Sequence, residues 1–306
     1  MKFIAINTNH SKKGDISFYC RVMKITRQGF YKYIKNSKNP WKYEALAAEI
    51  KKIIKEDECN DTYGYVRMYE ALKLKKSRNP EDFPKVPCER TIYDIMKKLN
   101  LVHKSKRKPN GLTKVDKEAI KSDDKIKRNF TAKNPLEKCV TDITEIKTAD
   151  GKLYISAVED CFDNAVLGIS MANNMKSQLC VNTLKTVLIT YPSLKGTIIH
   201  SDRGSQYTSH EYRDLIKKIG VIKSMNSAGG RCHDNAKCES LWARFKEELL
   251  YKRYDTKKMS MRSVKTLVWR YFMSYWNNRR ICSANGGFPP MVKRKKYYEN
   301  LYSLAA

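Results

Sequence analysis

Residues 197–226 read TIIHSDRGSQYTSHEYRDLIKKIGVIKSMN, and this stretch decides the fold class. TIIHSD, entered from Gly196, is a short apolar, β-branched run that predicts a buried strand giving way to loop at Asp202. HEYRDLIKKIG has helical spacing and stops at a glycine, and VIKSMN is a second short strand. Upstream, CVTDITEI (139–146), LYISAVEDCF (153–162) and AVLGISMA (165–172) predict three consecutive strands, with Gly151 in the first hairpin turn. Gln178–Ile189 has the apolar spacing of a helix, and AKCESLWARFKEELL (236–250) that of another. Three strands in a row, then strand alternating with helix, predict an α/β unit: a mixed sheet flanked by helices.

The 306 residues carry 61 Lys and Arg against 32 Asp and Glu, a net charge of +29. Such an excess favours polyanions, nucleic acid ahead of an anionic membrane surface, because no basic amphipathic helix with an aromatic face appears. No run approaches the ~20 apolar residues that span a bilayer, and the opening MKFIAINTNHSKKG is too poor in apolar residues for a secretory signal. A cytoplasmic protein is expected. The nine cysteines are scattered and none pair as CxxC, so neither a disulfide framework nor a zinc site is indicated. Cys232, His233 and Cys238 lie close in sequence but lack a fourth ligand.

Ahead of the sheet the chain reads as helical. Residues 1–40 form a basic segment in which ISFYCRVMKITRQGFYKYIK predicts two short helices broken near Lys24–Ile25. Phe18, Val22, Ile25, Phe30 and Ile34 are the expected apolar face, and Thr26 the N-cap of the second helix. That helix would present Arg27, Gln28 and Lys32 outward, a helix-turn-helix outline suited to a major groove. A second helical module spans 41–101, with helices over 42–56, after Tyr63–Gly64 and in CERTIYDIMKKLNL; KKSRNPEDFPKVP, with three prolines, is expected to be loop. Residues 102–133 read as a basic linker, 134–255 as the α/β core, and 256–306 as a tail with one long helix (261–275), breaks at Gly286–Gly287 and Pro289–Pro290, and the basic KRKKYY beyond.

Three acids stand in distinct settings. Asp142 lies on the first strand among apolar residues, where a carboxylate is costly unless paired or metal-bound. Asp202 sits at a strand end, where ligands of open α/β sheets gather. Glu239 begins the last core helix and shares a face with Lys246 seven residues on. Converging carboxylates of this kind can hold two divalent metals against a phosphodiester. Asp160, Asp163 and Asp234 are competing carboxylates.

TDITEI (141–146), HSDRGSQYTS (200–209), SMNSAGGRCHDNAKCES (224–240), KEEL (246–249) and YWNNRR (275–280) resemble bacterial insertion-sequence transposases of the orfB type, with a core like that of retroviral integrases. The helical modules resemble theirs too, so the likeness covers nearly the whole chain. It implies a ribonuclease-H-like fold preceded by all-α helix-turn-helix modules. It also implies a catalytic, metal-binding triad of Asp142, Asp202 and Glu239 using two Mg²⁺ ions, with Mn²⁺ as a substitute. Lys246 and Arg203 would contact DNA, and His200, Gly204, Gln206, Tyr207 and Asn235 would shape the site. The implied reaction is metal-dependent cleavage at the element's ends, then strand transfer into target DNA. The expected partners are double-stranded DNA, further copies of the chain as a homo-multimer, and an upstream-frame (orfA) product as fusion partner, with no membrane. A ribonuclease-H-like nuclease without strand transfer, or a non-catalytic DNA-binding regulator or decayed copy, is the alternative. Departures from the family are the 36 residues between Asp202 and Glu239, one more than usual, and Cys139 and Cys282 where Trp and His are common. The paired His and Cys of the retroviral zinc module are absent.

Overall fold

In the computed structural model, residues 2–8, 13–37, 39–103, 123–226, 235–251 and 253–305 are described. Ser227–Gly230, Cys232, His233, Asp234 and most of the basic linker lie outside them. The chain divides into two compact units, 1–50 and 51–306.

The first unit holds α1 (Lys2–Thr8), α2 (Lys13–Val22) and α3 (Arg27–Ser37). Lys24, at φ 52°, turns the chain between α2 and α3. Thr26 caps α3, its hydroxyl accepting from the Gly29 N–H at 3.0 Å. Ile4, Ala5, Ile16, Cys20 and Phe30 form the core, with Ile25 and Ile34 partly buried against it. The expected apolar face is therefore corrected at two of its five residues: Phe18 and Val22 are 59% and 61% exposed. Docking of α1 selects the Ile16–Cys20 face of α2, four residues apart on one side of the helix. Arg27, Gln28 and Lys32 are exposed on α3, as expected.

α4 (Glu44–Glu56) runs across the boundary at residue 50, and in the second unit α5 (Tyr65–Arg78) and α6 (Glu89–Lys98) precede the sheet. α5 runs further than expected, through LysLysSerArg at 75–78, and stops at Asn79 because Pro80 follows. The sheet comprises β1 (Lys138–Thr148), β2 (Gly151–Asp160), β3 (Val166–Ala172), β4 (Ile198–Ser201) and β5 (Ile222–Met225). Its order is β3-β2-β1-β4-β5. The hairpin pairs β1–β2 and β2–β3 are antiparallel; β4 lies parallel to β1, and β5 to β4. This is the mixed sheet that the sequence predicts.

Successive residues of β1 serve opposite faces. Cys139 joins the core under α7 (Ser177–Thr190), α8 (Ser205–Thr208) and α9 (His210–Lys218), with Leu184, Val187, Tyr207 and Tyr212. Gly168 on β3 lets α7 approach, since a Cβ there would stand 2.6 Å from Val187 Cγ2. Val140 belongs to the other face, packed with Cys161 and with Cys238 of α10 (Ala236–Phe245). α10 continues as a π-helical turn over Lys246–Leu250. Behind it, α11 (Met261–Trp269) runs into a second such turn, Arg270–Trp276, and rings of Trp242, Phe245, Tyr271 and Phe272 interlock at 5.0–6.2 Å.

Two buried ion networks fasten the periphery to the sheet. Glu248 accepts from Arg280 through Nε (2.7 Å) and a terminal nitrogen (2.6 Å), from Arg67 at 3.0 Å and from the Tyr271 hydroxyl at 2.8 Å. The second network corrects the reading of the basic tail. Pro290 opens α12 (Pro290–Ala305) instead of ending a segment, as suits a first helical position. Arg294 of KRKKYY is buried, donating to Asp163 at 2.6 Å and to Asp160 at 2.5 Å. The competing carboxylates Asp160 and Asp163 are thus held by this arginine and by turn N–H groups of Leu136, Phe162 and Ala165.

Burial opposes ionisation of Glu248, but Arg280 and Arg67 outweigh it and hold the carboxyl at about 2. A depressed carboxyl stabilises the fold above its unfolded pKa, and the gain is lost as pH falls from about 4.5 toward about 2. Glu248→Gln, which leaves Arg280 buried beside a neutral amide, is expected to lower stability by about 3–5 kcal/mol. Urea melts at neutral pH check this, and the variant should lose the steep acid limb of wild type in that window.

Candidate active site

The parallel register places Val140 opposite His200. Two residues further along each strand, Asp142 and Asp202 stand level, on the face that α10 covers. β4 ends at Ser201, so Asp202 begins the loop. Both carboxylates are partly buried. Asp142 Oδ2 accepts from the Trp242 indole N–H at 3.1 Å. Asp202 Oδ1 accepts from the Gly204 N–H at 2.9 Å. A Cβ at Gly204 would meet Gln206 Oε1 at 2.8 Å and Asp202 Oδ1 at 3.1 Å, so a side chain there would shift these two side-chain ends.

Burial, and then the charge of Asp202, push the Asp142 carboxyl up to about 7; Glu239 adds to the rise, and the N–H groups of Ile143 and Trp242 oppose it. Asp202 is raised chiefly by burial, against the Gly204 N–H and His200. Glu239 itself is exposed on α10, near enough to act on Asp142 through its charge. Among the described residues no three His, Cys, Asp or Glu side chains stand at metal-ligand spacing. The two aspartates are therefore brought together, with Glu239 beside them but not closed onto them.

The remaining predicted residues surround this pair. His200 is buried, with Nδ1 2.9 Å from the Ser224 hydroxyl and Nε2 2.9 Å from Asn226 Oδ1, which ties β4 to β5. Arg203 Nε donates to the Asn226 carbonyl at 2.5 Å, so the guanidinium braces the residue that follows β5. Gln206 donates to the Met175 carbonyl at 3.0 Å. Tyr207 is buried on the opposite face, its hydroxyl 3.4 Å from Thr141 Oγ1. Asn235 is buried at the start of α10. Lys246 is partly buried; desolvation lowers its pKa, while the charges of Glu145 and then Asp142 act to raise it. Trp242 was not among the predicted site residues. Its signal is its place three residues after Glu239, on the same helix face.

Paired carboxylates flanked by a lysine suit chemistry that needs concentrated negative charge, offset by a cation, next to a polyanion. The integrase core domain family matches residues 132–230. The putative transposase InsK of insertion sequence element IS150, from Escherichia coli K12, is 30% identical over 280 residues, covering 91% of this chain and 93% of its own. A 31 kDa protein of insertion element IS600 from Shigella sonnei is 28% identical over 283 residues, covering 92% and 98%. A chain of the simian T-cell lymphotropic virus intasome, solved with a PP2A regulatory subunit, aligns with 68% of this chain and 67% of its own at 13% identity and a TM-score of 0.44. Sequence likeness over nine-tenths of the chain, a matching core and a carboxylate pair on adjacent parallel strands lead to one assignment: the chain belongs to the transposases of bacterial insertion sequences.

Proposed function

We propose that this transposase cleaves DNA at the ends of its own element and joins the freed ends to target DNA, with Asp142, Asp202 and Glu239 as ligands for divalent metal. The observation that carries the reading is the Asp142–Asp202 pair, two carboxylates held level at adjacent parallel strands and aimed at the catalytic helix. The donor set fits a hard cation such as Mg²⁺, or Mn²⁺ in its place: it is all oxygen, and Trp242 and Gly204 each engage only one oxygen of their carboxylate. Two ions, when bound, would supply positive charge to the attacking and leaving oxygens of a phosphodiester.

The protein's own residues do the positioning. Trp242 fixes the rotation of Asp142 and favours its charged form, and it is itself wedged against Phe272 at 5.9 Å. Gly204 fixes Asp202. Glu239, exposed one helical turn before Trp242, supplies the third carboxylate. Lys246, a turn beyond on the same face, is placed to meet a phosphate of the bound strand, and Arg27, Gln28 and Lys32 are exposed on a separate helix suited to a groove. Double-stranded DNA, further copies of the chain and an upstream-frame product remain the proposed partners.

Glu239→Gln is expected to abolish both nicking and joining of a labelled duplex carrying the element's ends while leaving duplex binding intact. Retained cleavage by that variant contradicts the assignment, and nicking by wild type without joined products favours the nuclease reading. A second expectation concerns pH. Because the Asp142 pKa is raised, the metal-free fold loses stability as pH rises from about 4 through about 7, and a bound cation restores it. The rise in Tm on adding Mn²⁺ should therefore be larger at pH 8 than at pH 5.5. Trp242→Phe removes the N–H that favours the charged form and should move the acid limb of metal binding upward by about one pH unit, or about 1.4 kcal/mol. Calorimetric titration with Mn²⁺ across that range checks the shift.

A further inference from the structure

The reverse face of α10 carries a second group of charges that the proposed metal chemistry does not use. Glu239, Trp242 and Lys246 face the aspartates, whereas Lys237, Ser240, Leu241 and Arg244 line a cavity of about 460 Å³ on the other side. Its further walls include Arg67 of α5, Glu159 at the end of β2, and Trp276 and Arg280 after α11.

The charges in this cavity do not balance. Arg67 and Arg280 both bind the one carboxylate of Glu248. Lys237 lies 3.3 Å from Glu159 and also donates to Asn164. Arg244 is the remaining cation of the lining, and it is exposed at the mouth. Its Nε donates to Ser240 Oγ at 3.2 Å, and its two terminal nitrogens have no partner among the described residues. Desolvation, and then the charges of Arg280 and Arg67, lower its pKa, as expected for guanidinium groups crowded together with too few anions. Four cations thus share the carboxylates of Glu159 and Glu248.

We infer that the cavity receives a phosphodiester group of bound DNA, held by the free fork of Arg244. Guanidinium matches two phosphate oxygens at once, and the cavity can admit a phosphate with its sugar but not a duplex. A strand anchored here lies across the catalytic helix from the aspartates, so the contact positions DNA and does not touch the reacting phosphate. It would also tie α5, α10 and the segment after α11 to one strand. This rests on the proposed DNA chemistry, and the test separates the two.

The experiment measures binding of a fluorescent duplex carrying the element's ends by the full chain, in Ca²⁺ to suppress cleavage, over a range of salt. Arg244→Gln should weaken binding roughly three- to tenfold and lower the slope of log K against log salt by about one, and Arg244→Lys should restore most of the slope. Duplexes with single methylphosphonate linkages then locate the contact. One linkage that weakens wild-type binding should have no further effect on Arg244→Gln. Equal slopes for wild type and Arg244→Gln, or purely additive losses at every linkage, overturn the inference while leaving the proposed function standing. A wild-type chain that does not bind duplex overturns both. Mn²⁺ titration without DNA should be unchanged in Arg244→Gln, and a change there would mean that the substitution acts by disturbing α10, which also overturns it.

Discussion

Glu248 is a fully buried carboxylate, and the placement of α10 depends on how that charge is satisfied. An isolated carboxylate at this depth would be expelled or neutralised. Here Arg280 grips both oxygens, and Arg67 and Tyr271 complete the set. Each partner comes from a different part of the second unit: α5, the turn after α11, and the segment that follows it. The π-helical turn at Lys246–Leu250 presents Glu248 to these three while α10 remains packed on β1 through Cys238 and Val140. A buried ion network of this kind adds little net stability over a hydrophobic substitute, yet breaking it by removing one partner is costly. Its role is to fix one arrangement of the elements around the helix.

That arrangement gives α10 two working faces. One carries Glu239, Trp242 and Lys246 toward Asp142 and Asp202; the other carries Lys237 and Arg244 toward the basic cavity. The first face concentrates negative charge and the second positive charge, separated by the width of one helix. Both are unbalanced within the protein alone. Divalent cations would relieve the first and a polyanion the second, and DNA bound with metal brings both. Burial is the main cause of the raised Asp142 carboxyl and of the lowered Arg244 guanidinium, and like charges beside each add to the shift.

Much of this was legible in the sequence where chemistry and periodicity agreed. β1 to β5 follow from β-branched runs separated by glycine and polar turns, and Asp142 and Asp202 stand out because carboxylates rarely sit in such runs. Thr26 as an N-cap needed only the local rule. Features set by distant partners were not legible. KRKKYY reads only as the basic end of the tail, and only the fold reveals that Arg294 enters the core to meet Asp160 and Asp163. Phe18 and Val22 read as a buried face until α1 claims Ile16 and Cys20 instead. Trp242 looks like one more aromatic core residue, and its N–H becomes meaningful only beside Asp142. The π-helical turns have no sequence rule to announce them.

Asp142, Asp202 and Glu239 are the proposed ligands of divalent metal. Crystals of the protein grown or soaked with Mn²⁺, measured near the manganese absorption edge, test this most directly. Anomalous density is expected between Asp142 and Asp202 with the Glu239 carboxylate drawn onto it, and it should be lost in Asp202→Asn. Manganese bound elsewhere, or an empty pair of aspartates at saturating Mn²⁺ and pH 8, would contradict the proposal.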